Sequence, residues 1–340
     1  MRTPPARRLR PIAALSVTLC AALGMVFAPT AADEPDAPPA WMALGISLDS
    51  ADAVPDGIGD DLAGFRVRLV VDWNRIERPV GVYDWSRVAD RVDAVLARGA
   101  EVVLCLTGSH LDHVAGGVFP DPADVGAIDA WLAFVRAAVT RFAGRIEAIE
   151  VWDASTGSAI DPEDYAYVLK TTALAARAEA SARGATIRIA QLAVSAAEIE
   201  WQRRLWQRDV AAYIDILPLD VRTEGLDRGI DSRLATMMAE NLRHPPAAEV
   251  WAHVGAGIGF GPWLPVTDAL RALAAGVPVA IVRPPADPQP RGEVAGWLAG
   301  THRLVRRGFA PAPLGAVRFE GAQGGELRGA RAIAAFLADE

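Results

Sequence analysis

Three aspartates, Asp72, Asp153 and Asp220, each close a short apolar run, and histidines and arginines are spaced among them. A carboxyl at the end of a buried strand can be held protonated by partial desolvation, which is what a general acid requires. Asp153 is the candidate acid. Two carboxyls roughly 6.5 to 9.5 Å apart would also suit water-mediated inversion at an acetal carbon, so Asp153 with Asp72 or with Asp220 is a candidate pair. The structural alternative is that strand-end aspartates cap the next helix or turn.

His110, His113 and His253 together with Asp153 offer a zinc-like donor set. The first two, however, lie in the loop Ser109-His110-Leu111-Asp112-His113, without helical spacing. No metal and no other cofactor is expected, and His110 is read as a donor to ligand hydroxyls. Trp73, Trp152, Trp251 and Trp263 fall at or just beyond strand ends, where an indole face can stack on the C–H face of a ligand ring and its N–H can donate. Trp263 sits in Gly259-Phe260-Gly261-Pro262-Trp263, whose glycines permit close approach, and is the preferred ligand contact. Trp131, Trp201, Trp206 and Trp297 lie in helical patterns and are read as packing.

These side chains need a scaffold. Short Val/Ile/Leu-rich runs at 42–48, 65–71, 101–106, 148–152, 186–192, 213–219, 249–253 and 277–282 alternate with amphipathic stretches. The stretches are 86–98, 127–142, 162–183, 197–208, 232–243, 265–275 and 293–307, and 329–338 reads as a closing helix. Strands apolar on both faces and alternating with helices imply a parallel sheet covered by helices. Eight such units without a G-x-G-x-x-G after the first strand predict a single α/β domain, a (β/α)8 TIM barrel over 40–340. In that fold the chemistry belongs at the C-terminal strand ends, where the three aspartates stand.

The stretch Val67-Arg68-Leu69-Val70-Val71-Asp72-Trp73-Asn74-Arg75-Ile76-Glu77 and its continuation Gly81-Val82-Tyr83-Asp84-Trp85 resemble the second strand and following loop of the clan A retaining glycoside hydrolases. The likeness is to the β-xylosidase-like family 39 and its relatives in bacterial exopolysaccharide operons. Further similar segments are 98–104, Arg141-Phe142-Ala143-Gly144-Arg145, Glu150-Val151-Trp152, Ile214-Asp215-Ile216-Leu217, Val250-Trp251 and Gly325-Glu326-Leu327. The resemblance implies a barrel with a sugar cleft, in which Arg68 lies in the catalytic pocket and is the natural ion-pair partner of Asp153. It also implies that Trp152 and Trp251 match scaffold tryptophans.

The chemistry departs from that pattern. Retaining enzymes need two carboxyls about 5 Å apart, a proton donor and a nucleophile. Where the family reads Trp-Asn-Glu at the end of the fourth strand, this chain reads Trp152-Asp153-Ala154. The seventh strand's Trp-x-Thr-Glu-x-Gly is Trp251-Ala252-His253-Val254-Gly255, which puts Val254 in the nucleophile's place, or His253 if one residue is missing. The sixth strand's His-x-Tyr is Asp220-Val221-Arg222. Alanine and valine cannot donate a proton or form a glycosyl ester. The expectation is a carbohydrate-binding or accessory protein without ordinary retaining hydrolysis, its cleft lined by Arg68, Asp72, Trp73, His110, Trp152, Asp153, Asp220, Arg222, Trp251, His253 and Trp263. The alternatives are a glycosidase with relocated carboxylates and a structural or protein-binding barrel with a filled cleft.

Arg2, Arg7, Arg8 and Arg10 precede an apolar run from Ile12 to Phe27 and then Ala28-Pro29-Thr30-Ala31-Ala32, the layout of an export signal over 1–32. Residues 33–39 read as an acidic linker. Removing the signal takes the formal charge from −8 to −12 over the remaining 308 residues, a balance that disfavours nucleic acid and anionic membranes as partners. An oligo- or polysaccharide is the expected partner, with no membrane insertion after cleavage. Of the two cysteines only Cys105 stays, so the mature chain has no internal disulfide. The arginine-rich, almost lysine-free composition points to a bacterium with GC-rich DNA, hence to the periplasm or cell exterior.

Overall fold

Eight parallel strands close on themselves with their apolar outer faces under helices. The computed structural model describes residues 28–29, 43–55, 58, 62–114, 119–153, 160–195, 198–222, 230–255, 268–269, 272–273, 277–284, 291–292, 294–296, 298–299, 302 and 309–310. The strands are β1 (Ala43–Asp49), β2 (Arg66–Asp72), β3 (Glu101–Thr107), β4 (Ala148–Val151), β5 (Arg188–Ala190), β6 (Ile216–Arg222), β7 (Glu249–Gly255) and β8 (Val279–Arg283). Each pairs with its sequence neighbour, β8 returns to β1, and Ala190 pairs with Ile216 to join β5 to β6. The expected barrel is therefore present. Outside it, Ala28–Pro29 pairs with Phe309–Ala310.

The main helices are α1 (Ser86–Leu96), α2 (Val125–Phe142), α3 (Pro162–Ser181), α4 (Ile199–Trp206) and α5 (Ile230–Asn241). Side chains at helical spacing explain their docking: Val88, Val92 and Val95 of α1 are buried, as are Trp131, Phe134, Val135, Ala138, Val139 and Phe142 of α2. Asp124 caps α2 and Asp161 caps α3, each accepting a backbone N–H of the first turn. No helix among the described residues is long and apolar enough to cross a membrane. The expected closing helix at 329–338 lies outside the described residues.

Strand side chains alternate between two cores. Leu44, Ile46, Val67, Leu69, Val102, Leu104, Ile149 and Val254 join the outer core beneath the helices. Ala43, Val103, Ala148, Ala190, Ile216, Trp251, Val279 and Ile281 fill the barrel. Several strands run one to three residues past their predicted ends, to Asp49, Asp72, Thr107, Arg222, Gly255 and Arg283. Backbone pairing, rather than side-chain polarity, ends these strands, so polar residues stay in register at the mouth.

The opposite end of the barrel carries a ring of charge. Arg66 pairs with Glu101 at 3.0 Å and Glu147 at 3.1 Å, and Arg188 pairs with Glu147 at 3.0 Å and also with Glu249. Both guanidiniums lie over the Trp251 indole, 5.6 and 5.7 Å from its centroid. The indole N–H donates to Glu249 Oε1 at 2.9 Å. Trp251 is 1 % exposed and belongs to this floor, which corrects its placement in the cleft wall.

Candidate functional site

Arg68 organises the C-terminal mouth. It faces inward from β2, is fully buried, and gives its N–H groups to Glu150 through Nε (2.6 Å) and Nη2 (2.9 Å), and to Ser47 Oγ through Nη1 (2.9 Å). Nη2 also reaches Cys105 Sγ at 3.0 Å and Asp153 Oδ1 at 2.8 Å. Burial by itself would lower the Arg68 pKa, but the surrounding Cys105, Glu150 and Asp153 outweigh it and hold the guanidinium well above its usual value. Burial pushes the Cys105 thiol up, in keeping with its donation to Trp152 O at 3.5 Å.

Asp153 reaches Arg68 through an unusual backbone step. Trp152 has φ +77°, the left-handed region that costs an L-residue roughly 1–2 kcal/mol. Packing holds it there: its N–H bonds Leu106 O at 2.9 Å, and its ring meets Trp131 at 5.5 Å and Phe119 at 4.9 Å, both edge-on. The carboxylate beyond it accepts from Arg68 and, at the same Oδ1, from Arg283 Nη2 at 2.8 Å. The expected Arg68–Asp153 ion pair is thus present. Arg283 ends β8, diametrically opposite β4 in the barrel, so this second bond spans the mouth.

His253 completes the cluster. By strand alternation it shares the inner face with Trp251, whereas Val254 belongs to the outer core. The residue of the seventh strand that enters the mouth is therefore the imidazole. Its Nδ1 lies 4.0 Å from Glu150 Oε1, and burial, with Arg68 and Arg283 nearby, holds its pKa well below the ordinary value and keeps the ring neutral. Ser47, Arg68, Asp220, His253, Ile281 and Arg283 line a small pocket at the mouth.

The other expected site residues divide. Asp72 caps the helical turn Trp73–Ile76, accepting from Asn74 N at 3.0 Å, and pairs with Arg75 at 3.5 Å. Trp73 is wholly buried: its ring stacks on His113 and Phe134 and its N–H bonds Glu77 Oε2 at 2.5 Å, so it is core and not a sugar platform. Trp152, 1 % exposed, is likewise corrected to core. His110 is drawn away from the pocket, its Nε2 on Glu77 O at 3.0 Å and its Nδ1 accepting from Asp112 N at 3.3 Å. The Arg222 side chain and Trp263 lie outside the described residues.

Two residues of the site were not singled out from the sequence. Glu150, 1 % exposed, reads as one more member of an apolar strand, although its alternation with Ala148, which faces into the barrel, is the available signal. Arg283 follows the eighth apolar run and has no sequence neighbour that marks it. Cys105, Glu150 and Asp153 present donor atoms within 4.8 Å of one another, but the Arg68 guanidinium bonds all three and stands where a cation would sit. Glu77, buried at 1 %, accepts from Trp73, from Gly81 N at 2.5 Å and from His113, which explains its place in the Ile-Glu-x-x-x-Gly-x-Tyr motif.

No family model and no curated protein matches the sequence. Among solved structures, the chain is similar to a family 39 glycoside hydrolase from the gut symbiont Bacteroides cellulosilyticus WH2, with TM-score 0.58 and 14% identity over 77% of this chain and 64% of that one. The fold is shared with glycoside hydrolases. A glucosidase from Croceicoccus marinus gives TM-score 0.56 and 13% identity over 77% and 66% of the two chains. A GH39 enzyme from Xanthomonas axonopodis pv. citri gives 0.55 and 15% over 78% and 66%. The aligned part of this chain spans about two thirds of these relatives' lengths. At this identity the likeness is one of barrel architecture, and the chemistry rests on the mouth residues themselves.

Proposed function

We propose that the chain is an exported barrel that binds an oligo- or polysaccharide in its C-terminal mouth and does not carry out ordinary retaining hydrolysis. The observation that carries this reading is the state of Asp153, whose Oδ1 accepts from two guanidiniums, Arg68 of β2 and Arg283 of β8. A carboxylate tied into two charge-assisted bonds suits a fixed ion pair rather than a proton donor. Glu150 lies at a spacing from Asp153 near that of a retaining pair, yet it is 1 % exposed and shares the same arginine, so no substrate can enter between them. His253, neutral and at the strand end where the resembled family carries its nucleophile, can exchange hydrogen bonds with hydroxyls. Asp220 and Ser47 add polar groups to the same pocket. The basic and apolar N-terminal stretch supports export to the periplasm or beyond.

The test is release of new reducing ends from a broad polysaccharide panel by the mature protein beside Asp153→Ala, paired with affinity electrophoresis on the same panel. Retarded migration with no turnover from either protein is the expected result. Turnover that disappears in the variant would overturn the non-hydrolytic reading and make Asp153 a working acid.

A further inference from the structure

We infer that the ligand of this pocket is an acidic saccharide, a glycan whose sugar bears a carboxylate, and that Arg283 receives that group; the inference rests on the carbohydrate-binding reading above. The two arginines of the pocket differ in what they can offer. Arg68 is fully buried, and its nitrogens are taken up by Glu150, Ser47, Cys105 and Asp153. Arg283 lines the same pocket with its side chain 38% exposed. Among the described residues it donates one hydrogen bond, from Nη2 to Asp153. A guanidinium carries five N–H donors in a planar fork that matches a carboxylate edge, so the rest of this fork is not taken up by the described residues.

The bond it does make is easily exchanged. Asp153 Oδ1 accepts from Arg68 as well, so a ligand carboxylate that draws Arg283 aside leaves Asp153 still paired with Arg68 at 2.8 Å. His253, kept neutral by burial and by the two arginines, offers no opposing charge and remains available to a ring hydroxyl. Asp220 lines the pocket on the β6 side, across from Arg283 on the β8 side. Arginine in this role gives both charge and geometry, which is how planar acids are told from their neutral analogues.

The experiment is titration calorimetry of the mature protein at low ionic strength with oligomers of glucuronate, galacturonate and mannuronate, each beside the same oligomer after chemical reduction of its carboxyls to primary alcohols. At least one acidic oligomer is expected to bind about tenfold or more tightly than its reduced form, in line with a charge-assisted bond. That ratio is expected to fall close to one in Arg283→Gln. It should rise in Asp153→Asn, which removes the competing internal carboxylate, a sign opposite to that expected if Asp153 itself held the sugar. Equal affinity for acidic and reduced oligomers, or an unchanged ratio in Arg283→Gln, would overturn the acidic-ligand inference and leave carbohydrate binding standing. No binding of any oligomer in either form would bring down both.

Discussion

Replacing Arg68 by methionine tests whether the mouth is held by its buried charge cluster. The side chain is fully buried and its partner Glu150 is 1 % exposed. Methionine keeps the length and removes every donor. Asp153 retains Arg283, so the loss concentrates on Glu150, which is left in the barrel with only the weaker influence of Arg283. Removing one member of a buried ion pair costs about 3–5 kcal/mol, and on a domain of this size that lowers Tm by about 6–20 °C. The sign with pH follows from Glu150, whose folded pKa burial already raises and the variant raises further. A carboxyl raised in the folded state destabilises once pH climbs through and above its folded value, and not below the unfolded one. The deficit of Arg68→Met should therefore be largest near pH 7.5 and shrink towards the ordinary carboxylate range. Adding Glu150→Gln should restore about 2 kcal/mol or more at pH 7.5, because the stranded charge is gone. Urea unfolding followed by tryptophan fluorescence at pH 7.5 and pH 5 reads all three. A loss below about 1 kcal/mol, typical of a surface pair, or a double variant no more stable than the single one, would refute the cluster argument.

Two other changes probe the scaffold. Glu101 in the floor ring has its pKa raised by burial and by the neighbouring Glu147, against the pull of Arg66, so its ionisation works against folding at neutral pH. Glu101→Gln should raise Tm at pH 7.5, and that gain should fade as pH drops into the ordinary carboxylate range, where the wild-type group is protonated in both states; thermal melts at the two pH values measure it. Gly108, with φ +83°, follows β3 and lies against the Asp72 cap, where an added Cβ would stand 2.4 Å from Oδ1. Gly108→Ala should cost about 1–3 kcal/mol in chemical unfolding, and a neutral outcome would show that the cap has room to move.

The barrel was legible because its physics is local. Apolar runs of strand length alternating with amphipathic stretches specify which segments pair and which cover them, and the Arg68-to-Trp85 motif added the loop held by Glu77. Polarity marks the strand ends too early, because Asp72, Asp220 and Arg283 keep pairing along the backbone, and Asp220 and Arg283 line the mouth. The tryptophans depart from expectation for a related reason. A position at a strand end does not say which face an indole takes, and Trp73 and Trp251 found partners in Glu77 and Glu249 that sequence spacing does not reveal.

The sequence by itself determined the eightfold alternation and the aspartates that close the apolar runs, since each is a matter of residue type and order along one chain. Tertiary structure decided what those residues are able to do. It set His253 rather than Val254 on the inner face, turned Asp153 inward through the left-handed backbone at Trp152, and joined Arg68, Glu150, Asp153 and Arg283 across three strands. Charge compensation depends on distances between segments far apart in sequence. Only closure of the barrel brings β2, β4 and β8 close enough for one carboxylate to be shared by two arginines.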